Sequence, residues 1–123
     1  MSFRQNTPTP GLLLVRLLLA SVFVVMGAWR LWGAAQGVPT SGATLTFSAF
    51  ELVLGLLIAA GWQLRWTALL AALLMLADAL MSHPFWSLAG SERSAQLLHF
   101  MKNINAIGGF LLLSLTANAS KRR

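Results

Sequence analysis

Two carboxylic acids lie inside long apolar stretches of this sequence, where an acidic side chain needs a specific partner. Glu51 and Asp78 are two of only three acidic residues in 123, and apolar residues flank each of them. A charge at the centre of a bilayer costs roughly 2.5–3.5 kcal/mol on insertion scales, so such residues face the interior of a helical bundle. The bases available within apolar stretches are Arg16, Arg30 and Lys102.

Most of these polar groups are predicted to lie at one end of the bundle, because a helix rises about 1.5 Å per residue and the depth of each can be counted. The sequence therefore predicts an outward-facing polar pocket for a lipid headgroup or a quinone ring. Its candidate residues are Arg30, Glu51, Asp78, His83, His99, Lys102 and Asn103. Buried charges in such a pocket can move protons. In the alternative interpretation, structural ion pairs such as Glu51 with Arg30 and Asp78 with Lys102 only hold the helices in register.

The two histidines admit several interpretations. His83 and His99 are predicted at similar depth on neighbouring helices, and imidazole is a common ligand of haem and metal ions. Haem is the less favoured cofactor, because a haem-binding pair usually lies deeper, against small residues. Histidines that end a helix or form hydrogen bonds at the membrane interface are favoured. We predict no metal site, and the absence of cysteine excludes a thiolate ligand or nucleophile.

Four apolar stretches must position these residues. The predicted spans cover residues 11–32, 45–62, 66–82 and 97–116 of a single domain that comprises residues 1–123. The chain is 57% hydrophobic and 10% charged, whereas soluble domains are about 25% charged. All five tryptophans fall near predicted span ends, as in the aromatic belts of membrane proteins. The predicted fold class is all-α, an integral membrane four-helix bundle with up-down-up-down topology.

Helical spacing assigns the interior faces of the spans. Ala20, Phe23 and Gly27 recur every three or four residues, so they share one face of the first span. Glu51 and Gly55 share a face of the second span in the same way. Small residues on these faces let neighbouring helices approach closely.

The distribution of basic residues predicts the orientation. The side that holds both termini carries Arg4, Arg65, Lys121, Arg122 and Arg123, whereas the loops of the other side hold only Arg93. The positive-inside rule then places both termini in the cytoplasm of a bacterium, with the chain in its inner membrane. The net charge of +6 is explained by anionic lipid headgroups, and we expect no nucleic-acid partner.

Several short motifs resemble the DoxX family of bacterial membrane proteins over almost the whole chain. The stretch 27–31, Gly-Ala-Trp-Arg-Leu, is similar to the Gly-x-x-Lys-Leu end of that family's first helix. Residues 51–55 are similar to its second span, residues 83–86 (His-Pro-Phe-Trp) to its outer turn, and residues 100–103 to the start of its last span. Arg30 replaces the lysine that the family often carries. Arginine keeps the charge but does not release its proton, which argues against proton relay at this position.

The resemblance implies a four-helix inner-membrane protein that is linked to redox complexes, since relatives include a subunit of thiosulfate:quinone oxidoreductase. The leading hypothesis is a quinone-linked or redox-complex accessory subunit. The alternatives are a non-catalytic structural or assembly subunit and a small transporter. The expected partners are the lipid bilayer and either a redox-enzyme subunit or further copies of this chain. Whether the chain is an enzyme stays open, and no catalytic residue is assigned.

Overall fold

The computed structural model describes the backbone of residues 9–121 and the side chains of residues 9–117. Within this range four α-helices follow one another: α1 (Pro10–Ala35), α2 (Gly42–Ala60), α3 (Leu64–Ser82) and α4 (Gly90–Lys121). A short 3₁₀ helix, Phe85–Ser87, connects α3 to α4. Each α-helix is long and apolar enough to cross a membrane. The predicted all-α membrane four-helix bundle is confirmed, with α1 packed mainly on α2 and α3 mainly on α4.

Local sequence signals set the helix ends. The Thr9 hydroxyl caps α1 by accepting a hydrogen bond from the Leu12 amide at 3.2 Å. The last turn of α2 is closed by Gly61, whose φ of +83° lies in the left-handed region that favours glycine. The end of α3 comes at Ser82, because Pro84 disfavours helical backbone at the residue before it.

The helix α4 is longer than the predicted span, since it begins at Gly90 rather than at residue 97. Hydropathy locates only the apolar part of a helix, whereas the polar residues 90–96 continue the same helix beyond it. Glu92 lies in the first turn, where a carboxylate interacts favourably with the helix dipole.

Two glycines bring α1 and α2 into backbone contact. A Cβ atom at Gly27 would lie 2.8 Å from the carbonyl oxygen of Ser48, and one at Gly55 would lie 2.9 Å from the Cβ of Phe23. Ala20, Phe23 and Gly27 are the buried residues of α1, which confirms the predicted interior face of that helix.

The centre of the bundle is filled by apolar side chains from all four helices. The rings of Phe23 on α1 and Phe110 on α4 pack with their centroids 5.3 Å apart. Small residues line the face of α3 that meets α4, among them Ala68, Ala71 and Ala72. This layer lies between the two polar ends of the bundle.

The exterior of the bundle is apolar. All five tryptophans are more than half exposed, and they lie at or near the ends of helices α1, α2 and α3 or in the 3₁₀ turn: Trp29, Trp32, Trp62, Trp66 and Trp86. Many leucines between these ends are also exposed. This surface suits a bilayer, with aromatic side chains at both interfaces.

Candidate functional site

The strongest polar contact between α1 and α2 is an ion pair. The Arg30 Nη1 atom donates to the Glu51 Oε1 atom at 2.5 Å. The Glu51 side chain is 8% exposed and that of Arg30 33% exposed. The guanidinium is thus bound by a buried carboxylate, while one third of the arginine side chain stays exposed. The expected pairing of these two residues forms.

A groove opens beside Arg30 where the loop from α1 to α2 folds back over the end of α1. The loop is held by main-chain hydrogen bonds, including one from the Val38 amide to the Gly33 carbonyl at 3.0 Å. The groove has a volume of about 430 Å³. It is lined by tryptophan rings, small apolar residues and hydroxyls: Trp29, Arg30, Trp32, Gly33, Val38, Pro39, Thr40, Ser41 and Thr44. We call this set the Arg30 groove.

A second polar cluster joins α3 to α4. The Asn103 Nδ2 atom donates to the Asp78 Oδ2 atom at 2.8 Å and lies 3.3 Å from the Met75 carbonyl oxygen. The His83 Nε2 atom lies 3.6 Å from the same Asp78 oxygen. The Asn103 amide brings a polar hydrogen toward the carboxylate, which stabilises it within the bundle.

His83 is held from its other side as well. Its Nδ1 atom lies 2.7 Å from the Gln96 Oε1 atom, and an amide oxygen can only accept, so Nδ1 carries the hydrogen in this arrangement. A neutral His83 then presents a lone pair toward Asp78. Two acid–base side chains, His83 and Asp78, thus lie 3.6 Å apart.

His99 extends this cluster to the surface. Its ring stacks on that of His83, with centroids 5.3 Å apart and an angle of 27° between the planes. Stacked rings direct their nitrogen lone pairs side by side rather than toward a common point. Within the described residues, no three histidine, aspartate or glutamate side chains are grouped so that they can hold a metal ion. We call the set Asp78, His83, Gln96, His99 and Asn103 the Asp78 cluster.

Lys102 does not join either group. The expected pairing of Asp78 with Lys102 is wrong: among the described residues Asp78 is bound by Asn103 and approached by His83, and Lys102 is exposed. Successive residues of an α-helix differ by about 100° in direction. The residue that points from α4 to α3 is therefore Asn103, and its neighbour Lys102 points away from the bundle.

Six of the seven predicted pocket residues thus fall in two groups at the same end of the bundle. The role of these residues in binding a ligand stays a prediction.

Sequence reasoning missed several polar residues beside these groups. Ser48 is fully buried, and its Oγ atom has no hydrogen-bond partner within the described part of the chain. It lies three residues before Glu51, and that helical spacing was the available signal. Gln96 lies three residues before His99 and carries the same signal. The groove hydroxyls of Thr40 and Ser41 belong to the loop before α2, for which no periodicity exists.

The opposite end of the bundle holds a different set of contacts. The Arg16 guanidinium reaches the end of α2, where a Cβ atom at Gly61 would lie 2.8 Å from its Nη1 atom. A cation at the C-terminus of a helix interacts favourably with the helix dipole. The Ser114 hydroxyl donates to the Arg65 carbonyl oxygen at 2.6 Å and ties α4 to the start of α3. Arg4, Arg122 and Arg123, which support the predicted orientation, lie outside the described residues.

The sequence is similar to inner membrane proteins of Escherichia coli (strain K12). Inner membrane protein YqjF is 32% identical over 114 residues, which cover 86% of this chain and 83% of YqjF. The chain belongs to the same family as YqjF. Inner membrane protein YphA is 27% identical over 114 residues, which cover 85% of this chain and 81% of YphA. No protein-family model and no solved structure matches the chain.

Membership in the YqjF family and the four apolar helices make this chain an integral protein of the inner membrane. The names of YqjF and YphA state a location and no reaction.

Proposed function

We propose that this chain is a DoxX-like accessory subunit of an inner-membrane redox complex and that it binds the ring of a quinone in the Arg30 groove. The observation that carries this proposal is that Arg30 is paired with a buried carboxylate and is still partly exposed. Glu51 fixes the guanidinium at 2.5 Å, yet one third of the arginine side chain is exposed beside the groove. A cation that is held rigidly and remains accessible can donate hydrogen bonds to a carbonyl oxygen.

The shape and chemistry of the groove suit a flat ring with polar edges. Trp29 and Trp32 are 70% and 65% exposed, and their faces can stack on a planar ring. Thr44, in the first turn of α2, lines the same groove. Its oxygen accepts a hydrogen bond from the Ser41 hydroxyl, so its own hydrogen can be donated to a second carbonyl. A volume of about 430 Å³ lies within the usual range of small-molecule sites.

The Asp78 cluster supplies proton chemistry at the same end of the bundle. The acid–base side chains of His83 and Asp78 lie 3.6 Å apart, and the His83 ring stacks on that of His99. A quinone takes up protons when it is reduced to the quinol and releases them when the quinol is oxidised. We assign electron transfer to a partner subunit, because this chain has no cysteine and its polar groups are not redox-active.

The proposal includes the orientation in which both termini lie in the cytoplasm. Arg65 lies at the end of the bundle opposite to the Arg30 groove, and α4 ends at Lys121 at that same end. The positive-inside rule favours this end for the cytoplasm. The Arg30 groove then opens at the outer interface of the membrane.

Quinone binding can be measured on the intact protein. The protein is purified in a mild detergent and its organic extract is analysed by mass spectrometry for quinone. Titration with a short-chain ubiquinone should then quench tryptophan fluorescence, because Trp29 and Trp32 line the groove. We expect Arg30→Gln to weaken this binding about 10-fold or more, as for the loss of a charged hydrogen bond.

The matched control is Arg93→Gln, which removes an exposed cation from the start of α4, at the same end of the bundle. It should bind the ubiquinone as the wild type does. Equal quenching in wild type, Arg30→Gln and Arg93→Gln would show that the ligand only partitions into the detergent, and the quinone site would be wrong.

A second candidate function is a non-catalytic structural or assembly subunit. This function is favoured because both acidic side chains of the spans have partners within the chain. Glu51 accepts a hydrogen bond from Arg30, and Asp78 accepts one from Asn103. In that case the charges hold the bundle together and require no ligand. Its signature is a stable partner protein that co-purifies with the chain while the organic extract contains only bulk lipid.

A small transporter receives less support. Transport through one copy needs a polar path from one end of the bundle to the other. Phe23, Ile58 and Phe110 are completely buried and lie between the Arg30 groove and Arg16. This apolar layer closes the centre of the single bundle.

A further inference from the structure

One face of α4 is exposed along its whole membrane-spanning part and has an unusual residue at its centre. Six exposed residues recur at alternating intervals of three and four: Leu98, Met101, Asn105, Gly108, Leu112 and Leu115. We call this set the α4 seam. Alternating intervals of three and four are the heptad pattern by which two helices pack side by side.

Asn105 places an amide on this seam at mid-membrane depth. Asn103 contacts Met75, and Ser114 contacts Arg65, so the residues between them on α4 lie level with the middle of α3. The Asn105 side chain is exposed, and lipid tails offer it no hydrogen-bond partner. An amide in this position favours association with another helix that can satisfy it.

Asn103, on the same helix, is an asparagine with a structural role inside the bundle. Asn103 is buried and donates to Asp78 and toward the Met75 carbonyl. Asn105 lies about 200° further around the helix, and no side-chain hydrogen bond of Asn105 is present among the described residues. The Asn103 amide therefore contributes to the packing of the bundle, whereas the Asn105 amide faces outward.

Of the two adjacent glycines of α4, Gly109 packs inside the bundle and Gly108 faces outward. A Cβ atom at Gly109 would lie 2.8 Å from the Leu19 side chain, so that glycine serves the packing of α4 against α1. A Cβ atom at Gly108 would meet nothing within 4 Å. Gly108 therefore leaves room for a helix from outside the chain, one turn from Asn105.

We infer that α4 pairs with α4 of a second copy of this chain along the α4 seam, with the two Asn105 amides hydrogen-bonded to each other. Copies inserted in the same orientation present parallel α4 helices, and a twofold axis then brings each seam residue opposite itself. An amide is both donor and acceptor, so it can pair with its own copy. An asparagine in this position of a heptad pattern is known to fix the register of helix pairs.

The charges near the seam are compatible with this pairing. Lys102 follows Met101 on the flank of the seam rather than on its midline. A twofold axis along the seam places the two Lys102 side chains on opposite flanks, so they do not face each other. The inference is independent of the proposed quinone site, which lies on α1, α2 and their connecting loop.

Cross-linking in membranes tests the pairing directly, because the chain has no cysteine of its own. Single variants Leu98→Cys and Leu112→Cys place a thiol on the seam. Leu111→Cys is the matched control, since Leu111 is also exposed but lies one residue, or about 100°, away from Leu112. Oxidation should give disulfide-linked dimers with the two seam variants and far less with Leu111→Cys.

Asn105→Leu tests the role of the amide in the full chain. Dimerisation is measured by energy transfer between labelled copies diluted in liposomes. The dissociation constant should rise about 3- to 30-fold, the loss expected for one interhelical hydrogen bond, and Asn105→Gln should restore part of the affinity. Equal cross-linking at Leu111 and Leu112, or seam cross-links only to a different protein, would overturn the inference.

Discussion

The Asn103 amide donates to the Asp78 carboxylate at 2.8 Å and lies 3.3 Å from the Met75 carbonyl oxygen, so a single side chain ties α4 to two consecutive turns of α3. Asn103 is buried, and the Asp78 side chain is 20% exposed. A carboxylate in this position depends on the hydrogen-bond donors that surround it, because hydrocarbon offers none. Asn103 is therefore expected to stabilise the α3–α4 pair.

Asn103→Leu should lower the free energy of unfolding by about 1.5–3 kcal/mol, the usual cost of removing a hydrogen-bond partner from a charged group. The purified protein is placed in mild-detergent micelles and titrated with sodium dodecyl sulfate, and its unfolding is followed by circular dichroism. The control is Asn105→Leu, the same substitution on the exposed face of α4, which should leave the unfolding of dilute monomers unchanged. Equal effects of the two substitutions would contradict the assigned role of Asn103.

The Arg30–Glu51 pair predicts an asymmetric double-mutant cycle. Arg30→Gln leaves the Glu51 carboxylate, which is 8% exposed, without its cation. Glu51→Gln leaves an arginine that is 33% exposed and can turn toward water or a lipid headgroup. Arg30→Gln should therefore destabilise the protein more than Glu51→Gln, with a coupling energy of roughly 0.5–3 kcal/mol.

The same unfolding titration, applied to both single variants and the double variant, measures that coupling. A double variant that is as stable as Glu51→Gln alone supports the asymmetry, because Arg30 then matters mainly through its partner. A coupling energy near zero would show that the pair contributes nothing in the folded protein.

The sequence is sufficient to predict the helices and the Arg30–Glu51 contact. The first span carries Arg30 and the second span carries Glu51. The number of residues between each of them and the end of its span predicts the same depth for both, and the two side chains are in contact. The partner of Asp78 was not predictable in this way. Lys102 and Asn103 are predicted at the same depth as Asp78, so depth alone does not distinguish them as its partner. The rotation of α4 about its axis decides between them, and the packing of α4 against α3 turns Asn103 toward Asp78.

The Arg30 groove illustrates a second limit. It depends on how residues 36–41 fold back onto the end of α1, through contacts such as the hydrogen bond from the Val38 amide to the Gly33 carbonyl at 3.0 Å. Loop residues carry no periodicity from which such contacts can be predicted. The tryptophans were predicted as membrane anchors from their position near span ends, and that prediction does not reveal that two of them line a groove.

Gly27→Ala should separate α1 from α2. The added Cβ atom would lie 2.8 Å from the Ser48 carbonyl oxygen and 3.0 Å from the Leu52 nitrogen, and both are backbone atoms that cannot rotate away. We expect a loss of roughly 1–3 kcal/mol in unfolding free energy, as for overpacked interiors. Gly11→Ala is the control, because a Cβ atom at Gly11 meets nothing within 4 Å, and it should be neutral or slightly stabilising. A Gly27→Ala protein as stable as Gly11→Ala would contradict the close backbone contact.

The orientation of the bundle is accessible to labelling with a membrane-impermeant maleimide, since every introduced cysteine is unique. Ser87→Cys lies in the turn at the end of the bundle that holds the Asp78 cluster, and Gln63→Cys lies in the turn between α2 and α3 at the opposite end. Both native side chains are exposed. In spheroplasts Ser87→Cys should react and Gln63→Cys should react only after lysis. Leu73→Cys, in the middle of α3, should react in neither case. The reverse pattern would place the Arg30 groove at the cytoplasmic interface, and a quinone bound there would exchange its protons with the cytoplasm.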